Sequence, residues 1–504
     1  MSYLIGVDIG TQGTKAGLFD LNMTLTASAF VPSRLISPVP GTTWQEADDI
    51  YDAVVRVMDL LVRKSGVKPH EIVSVGIDSQ MAGIMGIDAD GEASTPYDSW
   101  LDTRCGRYVN EMKARAGKHI LEITGSPVTY AHGPKILWWK HENPEAYKKT
   151  AKFVLPHAYV VGKMTGLRAE ESYFDYTCIQ YSGFGNNLAM EWSDELLETF
   201  GIEKKKMARI VSPFQVVGRI TPEFARISGL AAGTPVVAGA GDTAASVFGA
   251  GMFEKDLLLD CAGTASALCS VVDRYVPDTG NETLTMMRSP VNGFWFPLAY
   301  INGGGLCIRW FRDGFTGETP VSYAELEKEA AELGPGSEGV IFIPHFAGRV
   351  LPNNQDIRGS FIGLDWKHTR AHLFRAIMEG ISYEYAYYLK VLKELYPHSR
   401  FDTLHAIGGG AGSDLFLKIK ADVLGVKATS FETGDTALIG SAVIAGTGTG
   451  VFGDYKKPIQ KVMKIRKELA CDVESKRLYE PYADTYLKAI DALTAVYQSE
   501  VYKK

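Results

Sequence analysis

The stretch Val7-Asp8-Ile9-Gly10-Thr11-Gln12-Gly13-Thr14-Lys15, with the apolar run Ala16–Phe19 behind it, decides how the fold is read. Leu4–Val7 supplies a β-rich run before the turn, so the segment predicts a β-hairpin whose tight turn carries glycine and threonine. Far downstream, Leu259-Asp260-Cys261-Ala262-Gly263-Thr264-Ala265-Ser266 repeats the plan of strand, acid and Gly-Thr turn, and Ala267–Val272 follows. Two similar hairpins opening two similar halves predict a duplicated architecture with a cleft between them, the first half ending near Ala240–Ala250. Further β-rich runs at Ile72–Ile77, Pro235–Ala238, Gly339–Ile343 and Thr403–Ile407 alternate with helical stretches. The clearest helix runs from about Arg370 to Leu395, where Leu373, Ile377, Ile381, Tyr385 and Leu389 repeat on one face. Alternation of this kind predicts an α/β protein with helices flanking its sheets.

Composition bounds the function. The chain has 504 residues, 46% hydrophobic and 22% charged, which is ordinary globular make-up. At roughly 100–200 residues per domain, that length suggests two or three domains. A formal charge of −7 leaves no basic footprint, so nucleic acid is not an expected partner. The six cysteines lie far apart with no Cys-x-x-Cys pair, too sparse for a disulfide framework or a zinc cage. The first residues meet an acid at Asp8 rather than forming a basic-then-apolar leader, and no uncharged apolar run approaches the ~18 residues of a membrane span. A cytoplasmic location with no membrane partner is therefore expected.

Four constellations could carry chemistry. In Asp8–Lys15 the glycines free backbone N–H groups for an anion, Thr11 and Thr14 bring hydroxyls, and Lys15 brings charge; an acid at a strand end can hold Mg²⁺. A polar surface hairpin reads the same way, and the glycine-lysine loop of P-loop enzymes is absent. Gly239-Ala240-Gly241-Asp242-Thr243 follows a strand and opens a helix of small residues, so Asp242 is either an N-cap or a cleft carboxylate that accepts a hydroxyl proton. Gly408-Gly409-Gly410-Ala411-Gly412-Ser413 joins a strand to an amphipathic helix, which suits a nucleotide or a plain βα turn capped by Ser413. Ile77-Asp78-Ser79-Gln80-Met81-Ala82-Gly83 and Ser99-Trp100-Leu101-Asp102-Thr103-Arg104 gather polar and aromatic groups that suit a polyhydroxylated ligand, or a half-buried Trp beside surface charges.

Taken in order, these motifs resemble the FGGY carbohydrate kinases almost end to end. Asp8-Ile9-Gly10-Thr11 with Gly13, Thr14 and Lys15 is similar to the family's first phosphate loop, and Gly263-Thr264-Ala265-Ser266 to its second. Trp44-Gln45-Glu46 and Trp100-Leu101-Asp102-Thr103-Arg104 resemble its W-x-E and W-x-D-x-R elements, and Gly241-Asp242 the segment bearing the catalytic aspartate. Gly359–Leu364 through His372–Glu379 fits the C-terminal signature, and Gly409-Gly410-Ala411 followed by Ala421-Asp422 resembles the adenosine segment. The resemblance implies two actin-like (ribonuclease H-like) domains, 1–245 for the sugar and first phosphate loop and 246–504 for ATP. They would close on ATP, Mg²⁺ at Asp8 and a small sugar or polyol, with a homodimer as the expected assembly.

Within the family the chain looks most like the xylulokinase branch, because Gln80-Met81-x-Gly83 resembles its Q-M-H-G element. Two departures sit at the sugar: Ala82 replaces that histidine, and Thr243 stands where the branch carries Asn. Losing a hydrogen-bonding imidazole should cost about 1–3 kcal/mol for that substrate if nothing compensates. Other acceptors (L-xylulose, ribulose, erythrulose, gluconate) thus stay open beside xylulose. The glycerol kinase N-Q-R-E element is absent, since Ser79-Gln80-Met81-Ala82 occupies that stretch, and Asp435 takes the place of a usual Glu near the nucleotide segment. Two rival readings, an actin-fold ATPase and a non-catalytic sugar-binding regulator, conflict respectively with the sugar-side residues and with the intact Asp8 and Asp242.

Overall fold

The computed structural model describes residues 1–317 and 321–502; residues 318–320 and 503–504, both inside the expected second domain, lie outside the described residues. The first sheet is built from β1 (Tyr3–Ile9), β2 (Gly13–Asp20), β3 (Leu25–Pro32), β4 (Ile72–Ser79), β6 (Val216–Arg219), β7 (Pro235–Val237) and the short β8 (Ala240–Gly241). A separate short strand, β5 (Tyr173–Asp175), pairs with Arg209–Val211. The second sheet holds β9 (Leu257–Ala262), β10 (Ser266–Ser270), β11 (Thr285–Arg288), β12 (Trp295–Ile301), β13 (Thr403–Ile407), β14 (Lys427–Phe431) and β15 (Ile465–Leu469).

The expected duplication is visible strand by strand. The first sheet runs β6-β7-β4-β1-β2-β3, with β8 also on β4; the second runs β11-β12-β10-β9-β13-β14-β15. In each, the opening strand forms an antiparallel hairpin with its successor and a parallel pair with a strand reached much later (β4 or β13). A parallel neighbour (β7 or β14) and an antiparallel edge (β6 or β15) then follow on the same side. Both Gly-Thr turns therefore sit at one equivalent corner of two equivalent sheets. The 370–395 helix is also present with the expected bounds. Its Glu379 accepts from Arg375 Nε at 2.8 Å, Tyr479 Oη at 3.0 Å, Ser337 Oγ at 2.8 Å and the Gly336 N–H at 3.0 Å, so the C-terminal signature stretch ties helices and a turn into the second core.

Seven helices matter for the site: α1 (Ala47–Ser65), α2 (Pro156–Thr165), α3 (Asp242–Gly249), α4 (Gly304–Phe315), α5 (Arg370–Leu395), α6 (Asp414–Leu424) and α7 (Thr436–Gly448). The chain leaves the first sheet through α3, and α7 returns from the second sheet to lie on β1, β4 and α3. That contact is backbone on backbone. A Cβ at Gly6 would stand 2.2 Å from the Leu438 carbonyl oxygen, one at Gly76 2.1 Å from that of Ser441, and one at Gly249 2.0 Å from that of Thr436. None of these oxygens can swing aside, since each belongs to a helix backbone. Gly76→Ala should therefore destabilise the protein by about 2–3 kcal/mol or more through overpacking. Gly314→Ala is the control: it is exposed on α4 with nothing within 4 Å of the added carbon, and should be neutral or stabilising by up to about 1 kcal/mol. Denaturant midpoints of the two variants check both signs.

Candidate active site

Parallel register brings three carboxyl groups to one edge of the first sheet. Asp8 on β1 stands opposite Asp78 on β4, Asp78 stands opposite Ala240 on β8, and Asp242 follows two residues later at the start of α3. Burial lifts all three above the ordinary carboxylate range. Asp78 is shifted furthest, because it lies wholly inside the protein and faces the Asp8 charge. Its Oδ2 accepts from Ser441 Oγ of α7 at 2.5 Å, while its Oδ1 is buried without a partner. Asp8 is raised by burial, against the opposing effects of its close neighbour Asp78 and the charge of Lys15. Asp242 is pushed up to about 7 by burial first and the Asp8 charge second, yet it is only half-buried and keeps access to solvent.

The N-cap reading of Asp242 is corrected by the structure: Gly241 occupies the cap position and Asp242 is the first helical residue. Its Oδ1 accepts from the Thr243 N–H at 2.6 Å and from Thr243 Oγ1 at 3.1 Å. No described residue donates to Oδ2. A carboxylate with one oxygen pinned and the other free, titrating near neutrality, is equipped to take a proton from a hydroxyl.

Around this edge lie the residues read as sugar-side. Trp100, 41% exposed, donates from Nε1 to Thr11 Oγ1 at 2.9 Å, and Thr11 in turn donates to Gln80 Oε1 at 3.1 Å. Gln80 donates to Gln45 Oε1 at 2.6 Å, which fixes its amide orientation. Ala82 has φ +62°, a left-handed conformation, and Met81 is buried with its sulfur against Gly241, packing beneath the Asp242 turn. Asp102 is buried and braces the wall: it accepts from the Thr43 N–H at 2.7 Å, the Arg104 N–H at 3.1 Å and Arg104 Nε at 2.7 Å. Arg104 also reaches Asp98 at 2.7 Å and lies 4.3 Å over the Trp138 ring. Of the first hairpin's residues, Thr11 is half-buried and Gly13 buried. Thr14 is fully buried with a partnerless hydroxyl, and Lys15 is exposed, 3.4 Å from Asp435 at the start of α7.

On the second sheet a cavity of about 570 Å³ collects Gly263, Thr264, Gly409, Gly410 and Ser413. Gly408, at φ +83°, lets the turn after β13 fold against Ala262 and Gly263, so the glycine turn and the second hairpin form one wall. The N-terminus of α4 abuts the same hairpin through the Leu306 N–H and the Thr264 carbonyl at 3.2 Å. Ser413 caps α6 by accepting from the Phe416 N–H at 3.1 Å. Ala411 is not on the cavity; it is buried, and its carbonyl accepts from Arg466 at 2.9 Å. Sequence reasoning did not assign Asp78, Arg309, Tyr323 or Glu327, the last three of which line the cavity. Asp78 lay inside a quoted motif, and the Gly303–Gly305 cluster marked the start of the helix that carries Arg309.

Comparison with known proteins agrees with this geometry. Residues 3–249 match the model described as "FGGY family of carbohydrate kinases, N-terminal domain", and residues 263–449 match its C-terminal counterpart. A xylulose kinase of Bacillus subtilis (strain 168) is 28% identical over 98% of this chain and 99% of its own length. A gluconokinase of the same organism is 28% identical over 90% of this chain and 89% of its own. The crystal structure of a ligand-bound xylulose kinase from Lactobacillus acidophilus superposes with a TM-score of 0.91 at 25% identity, covering 99% of both chains.

The raised Asp242 fixes a sign. The folded state holds the Asp242 proton more tightly than the unfolded chain, so this group lowers stability above about pH 7 and less so as the pH falls. Asp242→Asn should therefore raise the melting temperature at pH 8 and raise it less at pH 5, as paired thermal melts will measure.

Proposed function

The chain belongs to the FGGY family of carbohydrate kinases, and we propose that it phosphorylates a neutral ketose or polyol with Asp242 as the base. As a member it is an ATP-dependent sugar kinase. The observation that carries the finer reading is the half-free Asp242 carboxylate at the strand edge beside Asp8. Asp242 Oδ2 takes the proton of the acceptor hydroxyl as that oxygen bonds to the γ-phosphorus; the bond to the β-bridging oxygen breaks, and ADP leaves. Phosphoryl transfer through a loose transition state asks mainly for positioning and charge stabilisation. Thr11, Gly13 and Lys15 on one side, and Gly263 and Thr264 on the other, hold the phosphates, with the buried Thr14 supporting the first hairpin from within; Gly409, Gly410 and Ser413 hold the nucleoside. Ala411 shapes that turn from behind.

Among the described residues no group of three or more His, Cys, Asp or Glu side chains forms a metal cage. The donors present do fit Mg²⁺, which keeps water and phosphate ligands and needs only one or two carboxylates. Asp8 would hold it, and the partnerless Asp78 Oδ1 stands directly behind. When bound, the ion supplies charge neutralisation on the phosphates. The same reading divides the chain at 245/246 and includes a cytoplasmic setting and a homodimer. Among the described residues no helix is long and apolar enough to cross a membrane.

The substrate preference follows from where the cations are. Trp100 offers an exposed ring face and Thr243 a half-buried hydroxyl, beside Ala82 and the buried Gln80, while Arg104 is committed to Asp98 and Asp102, and Lys135 donates to the Asp102 carbonyl at 2.7 Å. An aldonate would bring a carboxylate to a wall whose cations are already paired. Xylulose kinase names are frequent among the relatives, and Ala82 leaves that branch's imidazole missing, so a ketose with a different hydroxyl pattern is favoured. A coupled ADP-release screen over ketopentoses, ketotetroses, polyols and gluconate tests this. The best neutral sugar should exceed gluconate by about a hundredfold in kcat/KM, the scale on which a site built for one set of polar groups rejects another. Gluconate as the best substrate would overturn it. With that sugar, Asp242→Asn should lose a hundredfold or more in kcat, the order expected of a lost general base, with KM for ATP little changed.

A further inference from the structure

On the face of β4 opposite Asp78, four polar side chains stand in a buried line of close contacts. Ser79 Oγ lies 2.7 Å from Nδ1 of His157, in the first turn of α2. His157 Nε2 lies 3.1 Å from Asp175 Oδ2 on β5, a close charged contact without the alignment of a hydrogen bond, and neither atom has a hydrogen-bond partner among the described residues. Asp175 Oδ1 accepts from the Thr177 N–H at 2.9 Å and from the Thr177 hydroxyl, and Thr177 Oγ1 accepts from the Gly241 N–H at 3.0 Å. Asp175 only accepts, so Nε2 of His157 carries the proton toward it and Nδ1 accepts from Ser79. The line starts one residue before Gln80 and ends one residue before Asp242. Gly241 and Ser79 are also neighbours in the β4–β8 ladder, so the two segments are joined once by backbone and once through this loop of side chains.

We propose that Ser79, His157, Asp175 and Thr177 are positioning residues that hold the Asp242 turn at a set offset from the sugar-side Gln80. The proposal rests on the reading of Asp242 as base and Gln80 as part of the sugar wall. Serine, histidine and aspartate in line suggest a hydrolytic triad, but Ser79 is 1% exposed and no acyl group can reach it. Stability alone does not call for the line either: apolar side chains of the same volume fill such a space as well as buried ionic groups do. What a line of hydrogen bonds around one close charged contact adds is a set distance, and a 1 Å error at the reacting groups costs on the order of a hundredfold in rate.

The test compares Ser79→Ala, His157→Gln, their double variant and Asp242→Asn, using ATP and the best sugar of the screen. The relay predicts that Ser79→Ala and His157→Gln each lose about 10- to 100-fold in kcat. KM for ATP should stay within about twofold and melting within a few degrees, and the double variant should lose no more than the worse single one, as members of one unit do. A merely structural role would instead lower melting and weaken ATP binding in step with turnover, or give losses that multiply; either result overturns the proposal. If His157→Gln does not fold, Ser79→Ala, which removes one hydroxyl, carries the test alone. Normal turnover in the relay variants beside an inactive Asp242→Asn overturns the relay and leaves the site reading intact. An active Asp242→Asn overturns the site reading and the relay with it.

Discussion

Everything about the site depends on the absence of side chains where α7 meets the first sheet. A helix normally stands well clear of a sheet because side chains separate them. Here Gly6 and Gly76 remove the spacers, and Gly249 and Gly440 do the same between α3 and α7. The approach delivers Ser441 to Asp78 and sets Asp435 beside Lys15. It also makes α7, which follows the second sheet's β14, a structural part of the first half. α3 and α7 thus pack on each other where the halves meet, and a second tie joins them elsewhere, where Asn187 donates to the Met286 carbonyl at 2.7 Å and Arg288 donates to the Asn187 carbonyl at 2.7 Å.

The duplicated sheets show how one plan serves two purposes. Each opening strand bears an acid ahead of its Gly-Thr turn. Asp260 is closed off: Lys420 donates to one oxygen and Tyr385 to the other, at 2.8 Å for the latter, all within the buried core. A buried charge so paired is structural. Asp8 has instead another acid as its neighbour across the ladder, because β4 brings Asp78 where β13 brings Ala406. A lysine and a tyrosine beside one acid, and a second acid beside the other, thus separate a satisfied support from an edge of raised carboxyl groups.

Much of the fold was legible because period and turn chemistry are local. The 26-residue helix declared itself through an apolar face and ended within a residue of expectation, and both hairpins were set by Gly-Thr turns between apolar runs. Asp242 was legible as a strand-end acid but ambiguous as a cap, since capping depends on where helical geometry begins, one residue later than Gly241. Asp102 and Arg104 were legible as part of the sugar wall, but the way they brace each other and Thr43 is a tertiary arrangement that residue type does not reveal. The Ser79–His157–Asp175 line was invisible for the same reason: its members are separated by 78 and 18 positions and meet only through the ladder of β4 and the packing of α2.

The unsatisfied groups complete the argument about where phosphates go. A chain of net charge −7 that must bind a polyanion has no surplus of cations to spend on it. On the proposed reading its means would be hydroxyls, the N–H groups of its glycine turns, and a cation held by Asp8. Folded proteins rarely leave buried polar atoms without partners, because each costs the lost hydration. Asp78 Oδ1 on β4 is such an atom, on the sheet face it shares with Asp8, whereas Thr14, paired with Ile9, turns its hydroxyl to the other face. Departures from local consistency gather at functional positions, where a ligand supplies what the protein omits. On the proposed reading, the unpaired Asp78 oxygen beside Asp8 marks the edge where a metal-bound phosphate would sit, and the fully paired Asp260 shows an acid on the other sheet's opening strand without that duty.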